Sequence, residues 1–507
     1  MPKGGVYLAL QKLYVVAGLV FLIGTVVYGV KTGDIWRGIY GSVASSVVVL
    51  FGYYTVYIRR KSNSAYDALS HIFYFNLVVV ILSYYAGLEW GLPATEFRIG
   101  FSFGNFSDFF FNLIAVTDRF SNAWYVKFGI SGGAFPFSYA IANIFATLMG
   151  WSAGITSIDP AKIDGVSKAL YAVYLVIFSV PIVFVVLRSL RRAAWRFSAL
   201  LFLAISYPVM FEVERGNFVL VSAALLSLAL YAFLHERKNT AATLFGVLMA
   251  VKLLNIIFVF FIVRNLWRKL PYAAGSFIVV TIGSLIYLYG FHLQNWEIFL
   301  KAAYAIFGGD HTPHLTDADK MAGGVVGIEG YLVLVHSLFM GLTHNIVSQS
   351  HIFDLITMAI GAACLVLFYV TARNPRIGVA DWADEIMVLL VVPILFHPAA
   401  AAYDLVLLIP PLAIMAGRPF GEYENVLYRY SGLFFLLSEG IVIGNVINYP
   451  NRPLITSITP MSFVVPFSLI GMLVTILSRG KFQDGRLAGW HGATVSATDS
   501  PHHHNGT

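Results

Sequence analysis

Apolar residues run along this chain in long blocks, broken by short polar turns. A membrane-spanning helix needs about 20 mostly apolar residues. Blocks of this kind lie at 11–31, 38–58, 67–88, 166–188, 197–213, 216–234, 272–291, 352–372, 383–397, 402–417, 428–446 and 459–478. The pattern predicts an all-α polytopic membrane protein with about twelve transmembrane helices. The first block is too long for the core of a signal peptide and lacks a small-x-small cleavage site, so it reads as an uncleaved signal anchor.

Basic residues collect on the cytoplasmic side of a membrane and so set orientation. Arg59, Arg60 and Lys61 place the turn after the second block inside, which puts the long loop after the third block outside. Arg188, Arg191, Arg192 and Arg196 place a later turn inside again. Parity then requires that the apolar piece from Pro136 to Trp151 not cross, and it is predicted as a short juxtamembrane helix held on the outer side. The same argument applies to Ala241–Val263, which has Arg237 and Lys238 before it and Arg264, Arg268 and Lys269 after it. This piece is predicted to enter and turn back as a re-entrant hairpin of two short helices, with Lys252 near its tip. Non-helical backbone at that depth is tolerated where protein buries it or where it lines a cavity. Both termini fall in the cytoplasm.

Four regions follow: an N-terminal three-helix segment over 1–88, an outer loop with juxtamembrane helices over 89–165, a transmembrane core over 166–478, and a polar cytoplasmic tail over 479–507. The tail has the composition of a disordered segment. No internal repeat is visible.

Composition agrees with the pattern. Hydrophobic residues make up 58% and charged residues 12%, whereas a soluble domain carries roughly 25% charged residues. The net charge of +7 would suggest a nucleic-acid partner in a soluble protein. Here it is accounted for by cytoplasmic turns, which are topology signals and need no nucleic acid. A single cysteine, Cys364, excludes an intrachain disulfide.

Against this apolar background a few polar residues need a reason. Asp108 lies in the outer loop among Phe106, Phe109, Phe110 and Phe111. It is a solvated loop carboxylate or helix cap on one reading. On the other it is a base under an aromatic roof that raises its affinity for protons. Asp118, beside Arg119, is the alternative base and the more easily explained as a structural pair. Glu212, Glu214, Arg215 and Asn217 crowd a tight turn between two blocks. They form either a self-neutralising turn or a mount for a guanidinium that meets a phosphate. Lys252 stands in an apolar run, where a charge either snorkels or serves function. His397, followed by Tyr403 and Asp404, either caps a helix or holds a phosphate or a sugar hydroxyl. Asp310, His311 and His314 crowd another long outer loop and either gather a divalent ion or, as such loops more often do, bind hydroxyls or turn. No zinc-protease, phosphate-loop or nucleophile-elbow motif is present.

In order along the chain these elements resemble GT-C glycosyltransferases, and most closely glycosyltransferase family 87, whose members use polyprenyl-phosphate sugars. Ser107, Asp108 and Phe109 resemble the family's Gly/Ser-Asp-Phe element. Phe135, Pro136 and Phe137 stand where it has Tyr-Pro-Pro, with Phe135 replacing the Tyr and Phe137 the second Pro. Arg215, Gly216 and Asn217 stand for its Arg/x-Gly-Gln/Asn, with Asn217 replacing the Gln. A basic turn at Arg237 and Lys238 and a Gly-containing run from Gly246 to Lys252 follow, and His397 and Pro398 through Tyr403 and Asp404 resemble a later His-containing element. The likeness covers about residues 100–415, and two extra spans precede it.

The resemblance implies a GT-C-like fold and an inverting transfer of mannose or arabinofuranose from a polyprenyl-phosphate donor. The acceptor would be a lipid or glycan, and the site would lie on the outer, periplasmic side of a bacterial inner membrane. Asp108 would be the base. Arg215, Lys252 and His397 would bind the donor phosphate, and Glu214, Asn217, Tyr403, Asp404 and His311 would contact substrate. It implies no cofactor and no metal. A secondary transporter is the rival class, and would show paired broken helices in its two halves. Only one broken segment is evident. A membrane polysaccharide ligase or polymerase is a third reading, under which Asp108 is dispensable.

Overall fold

The computed structural model describes residues 135–150, 165–189, 216–291, 351–372, 382–396 and 402–416, together with Ile23, Phe109, Leu113, Val209, Glu212, Ile328, Leu469, Ile470 and Leu473. Among them every regular element is helical. The first three predicted spans, and those at 197–213, 428–446 and 459–478, lie outside the described residues apart from isolated helical positions.

Helix α1 covers Pro136–Leu148 and opens on a proline, whose missing N–H costs nothing in a first turn. At 13 residues it is about 20 Å long, too short to cross a bilayer, as parity requires. Its placement is more specific than the sequence indicates. The Phe135 ring meets Phe277 edge-on at 6.0 Å, and the Tyr287 hydroxyl donates to Asn143 Oδ1 at 2.9 Å. Those partners sit in the same order along a long helix, so α1 runs parallel to it and alongside it.

Helix α2 (Gly165–Ser189) keeps its course through Pro181. Helix α3 (Val219–Leu234) is apolar all round and largely buried, as expected of a central helix. Helix α4 (Lys238–Met249) ends at a break, followed by a 3-10 turn over Leu253–Phe258 and α5 over Val259–Asn265. The Phe245 ring lies 5.7 Å from Phe258 and 5.1 Å from Phe261, so the chain folds back on itself across the break. A short 3-10 turn (Trp267–Lys269) leads into α6 (Leu270–Tyr289). Helices α7 (His351–Ala372) and α8 (Trp382–Phe396) pack on each other.

Among the described residues, two segments are long and apolar enough to cross a membrane by themselves, Val166–Ser189 and Trp267–Tyr289. They agree with the predicted spans at 166–188 and 272–291. Their outward-facing Val176, Val180 and Val279 are exposed, as lipid-facing side chains would be.

One predicted span differs in form. The block at 402–417 is a 3-10 turn over Ala402–Leu408 that becomes α9 at Ile409–Ala416. Pro410 and Pro411 cannot donate to carbonyls a turn earlier, so an α-helix begun at Ala402 would lose two successive bonds at them. Restarted at Ile409, the helix holds both prolines in its first turn, where no bond is lost.

A buried polar knot ties α5, α7 and α8 together. Glu385, in the first turn of α8, accepts from the Tyr369 hydroxyl at 2.6 Å and from Asn265 Nδ2 at 2.7 Å, and Arg264 Nη1 lies 3.5 Å from it. The carboxylate is fully buried while the guanidinium is partly exposed. Its negative charge also suits the helix N-terminus. Arg264→Leu is expected to destabilise the fold by about 2 kcal/mol, the scale of a hydrogen bond to a charged group. The readout is the melting midpoint in detergent, and an unchanged midpoint would show the arginine to be dispensable there.

Candidate functional site

The break after α4 is not written in local propensity. Ala250, Lys252 and Leu253 all favour helix, yet Lys252 is extended, with φ −137° and ψ 146°. Tertiary contacts impose the break. The carbonyl of Val251 accepts from the Phe135 backbone N–H at 3.0 Å and from the Ser138 hydroxyl at 2.7 Å. The buried Asn255 amide donates to the Leu248 carbonyl and to Ser222 Oγ, both at 3.0 Å. Carbonyls that would have continued the helix thus find partners on α1 and on Asn255.

Beside this break the ammonium of Lys252 lies 3.5 Å from Asp404 Oδ1, and both side chains are almost wholly buried. The 3-10 turn that opens the 402–416 segment presents Asp404. At this separation an ion pair interacts strongly once water is excluded, and removal of either partner leaves the other charge in a costly place.

The second part of the site is the turn before α3. Gly216 has φ +65°, which glycine adopts without strain. A Cβ there would come within 2.7 Å of Phe109 Cβ and 2.8 Å of the Tyr171 ring. Glycine is therefore required twice, for backbone conformation and for close approach. Asn217 is engaged in holding the turn: its Oδ1 accepts from Val219 N–H at 3.3 Å, and its carbonyl accepts from the Tyr174 hydroxyl at 3.0 Å. Buried Glu212 accepts from Leu220 N–H at 3.3 Å, and its carbonyl accepts from Gly216 N–H at 2.6 Å. Both side chains serve the orphan N–H groups that open α3.

An aromatic cluster joins the turn to α1 and α2. The Phe109 ring lies 4.9 Å from Tyr171, 4.8 Å from Tyr174 and 5.8 Å from Phe145. Tyr139 meets Phe218 edge-on at 6.4 Å. A continuous line of contacts therefore runs from Phe109 to Gly216, through the turn to Phe218, across Tyr139 and Ser138 to Val251, and from its neighbour Lys252 to Asp404.

Of the residues predicted from sequence to act in catalysis or binding, the side chains of Asn217, Lys252 and Asp404 are described, and this line links them. Tyr403 is placed only by its backbone, in the 3-10 turn. Asp108, Asp118, Glu214, Arg215, His311 and His397 lie outside the described residues. Sequence reasoning missed Ser138, Asn255 and Glu385. The acidic pair at the head of the apolar block 383–397 was the available signal for Glu385, since a carboxylate inside such a block needs a partner. Among the described residues no group of acidic, His and Cys side chains is arranged to hold a metal ion.

Residues 161–398 match the family model of glycosyltransferase family 87. No curated protein matches the chain. The matched segment contains the Gly216 turn and Lys252. Phe109, α1 and Asp404 lie outside it, so the line of contacts extends the matched core on both sides.

Proposed function

We propose that the protein is a glycosyltransferase of the family 87 kind, whose family model matches residues 161–398, and that it moves a sugar from a polyprenyl-phosphate donor to a lipid or glycan acceptor. The sugar is mannose or arabinofuranose, and the reaction occurs at the outer face of a bacterial inner membrane, where nucleotide sugars are not available. The fold carrying it is a GT-C-like bundle of about twelve spans with both termini inside. The segment that folds back at Lys252 is its re-entrant hairpin.

The observation that carries this reading is the docking of α1 on the helix break. It holds Phe135 and Ser138, which follow the candidate base in sequence, against the Val251 carbonyl next to a buried lysine. Phe109 and Gly216 touch, and consecutive Cα atoms are about 3.8 Å apart. Asp108 and Arg215 are the sequence neighbours of these two residues, which supports the reading that a base and a phosphate-binding cation share a site.

In the proposed mechanism the acceptor hydroxyl attacks the anomeric carbon. The new bond is acceptor oxygen to carbon, and the bond broken joins that carbon to the phosphate oxygen. Asp108 takes the acceptor proton, and the lipid phosphate leaves with the bonding electrons. Arg215, Lys252 and His397 stabilise the charge that develops on it, the kind of contribution that often dominates catalysis. Configuration inverts, because attack and departure occur on opposite faces. Glu214, Tyr403 and His311 contact sugar hydroxyls, while Asn217 acts through the turn it holds. No cofactor or metal enters the scheme.

The family domain favours this reading over a transporter. The test is purified protein in nanodiscs supplied with polyprenyl-phosphate mannose, polyprenyl-phosphate arabinofuranose or nucleotide sugars. Release of polyprenyl phosphate from a lipid-linked donor, dependent on an added acceptor, is expected. Turnover of nucleotide sugars alone would overturn it.

A further inference from the structure

Donor and product differ in charge, and this bears on why a carboxylate sits against Lys252. A sugar–phosphate–lipid is a phosphodiester with one negative charge. The lipid phosphate left after transfer is a monoester. With a second pKa near 6, such a group carries about −1.5 to −2 at neutral pH. A site built from cations alone would hold the product more tightly than the substrate and would be blocked by it. Asp404 Oδ1 at 3.5 Å from the Lys252 ammonium, with both side chains almost wholly buried, offsets the charge that Lys252 adds to such a site.

We infer that Asp404 is a specificity-determining residue, which limits the charge Lys252 offers so that the site accepts a lipid phosphodiester and releases the lipid phosphomonoester it becomes. The inference rests on the reading of Lys252 as a phosphate-binding group. In the transfer the carbon–oxygen bond to phosphate breaks and its electrons remain on the phosphate, while the acceptor proton goes to Asp108. The phosphate gains one negative charge beside Asp404 at the moment it must leave. A phosphate oxygen in contact with the Lys252 ammonium lies within a few ångströms of the Asp404 carboxylate, where burial leaves little screening. The 3-10 turn over Ala402–Leu408 supports this role, because it fixes Asp404 at the helix break and not on a mobile loop.

The experiment measures binding of undecaprenyl phosphate and of its methyl ester, a phosphodiester, to the full-length protein in nanodiscs. The wild-type protein is expected to bind the methyl ester as well as the monoester or better. Asp404→Asn should tighten the monoester about tenfold, which corresponds to roughly 1.4 kcal/mol, and the methyl ester by clearly less. Product inhibition should strengthen in parallel. Weaker binding of both lipids by Asp404→Asn would show that the carboxylate only holds Lys252 in place, and equal tightening of both would show no discrimination. Either result overturns the inference. If the variant does not fold, the wild-type ratio decides, and a tenfold preference for the monoester sinks it. Lys252→Met separates the two levels of argument. Unchanged binding of both lipids would remove Lys252 from the phosphate site, and with it the premise.

Discussion

Asp108→Asn is expected to lower sugar transfer by about two orders of magnitude or more, the usual scale for loss of a general base, while the protein remains folded. The substitution preserves shape and removes the basic oxygen. The next residue, Phe109, is buried to 1% exposure and held among the Tyr171, Tyr174 and Phe145 rings, so the backbone at this point is anchored independently of the carboxylate. Release of polyprenyl phosphate measures the loss, and an unshifted melting curve excludes misfolding as its cause. Near-normal turnover would move the base elsewhere, with Asp118 the next to test, and would favour the ligase or polymerase reading.

The second large effect is structural. Helices α4 and α6 approach each other tightly at Gly246, where a Cβ would overlap the Ser276 hydroxyl and the Ala273 carbonyl oxygen. Ser276 Oγ itself donates to the Thr243 and Ala273 carbonyls at 2.9 and 3.0 Å. Neither obstacle can move without breaking these bonds or shifting backbone. Small residues permit such approaches between membrane helices, and overpacking a fitted contact is costly. Gly246→Val is expected to destabilise the protein by at least about 3 kcal/mol and to abolish a monodisperse peak in size-exclusion chromatography. Gly275→Ala and Gly283→Ala are the controls. A Cβ at either position meets nothing within 4 Å, and alanine is the better helix former, so both should fold normally. A folded Gly246→Val protein would show that the two helices can separate at little cost.

What the sequence revealed depended on whether the cause was local. The spans at 166–188 and 272–291 were legible because an unbroken apolar run of sufficient length is itself the physical requirement, and Pro181 did not interrupt the first of them. The break near Lys252 was legible only indirectly, through the parity of the basic turns. Its own residues favour helix, and the hydrogen bonds that impose it come from Phe135, Ser138 and Asn255. Lys252 stood out as a charge in an apolar run. Its pairing with Asp404 could not be read, because the two are far apart in sequence and only the fold joins them. Glu385 was passed over because the acids at 384 and 385 fall at the edge of a block, where charge is unremarkable until the helix is seen to bury them. Pro410 and Pro411 were visible all along, but their effect depends on where the helix begins.

The attachment of α1 has a further consequence. Two of its donors reach a single main-chain oxygen, that of Val251, and one of them is itself a backbone amide. A fastening of this kind is largely indifferent to which side chain occupies 135 or 137. Rings at those positions can be exchanged during evolution without releasing the loop. Phenylalanine at both positions is therefore compatible with α1 staying docked on the helix break.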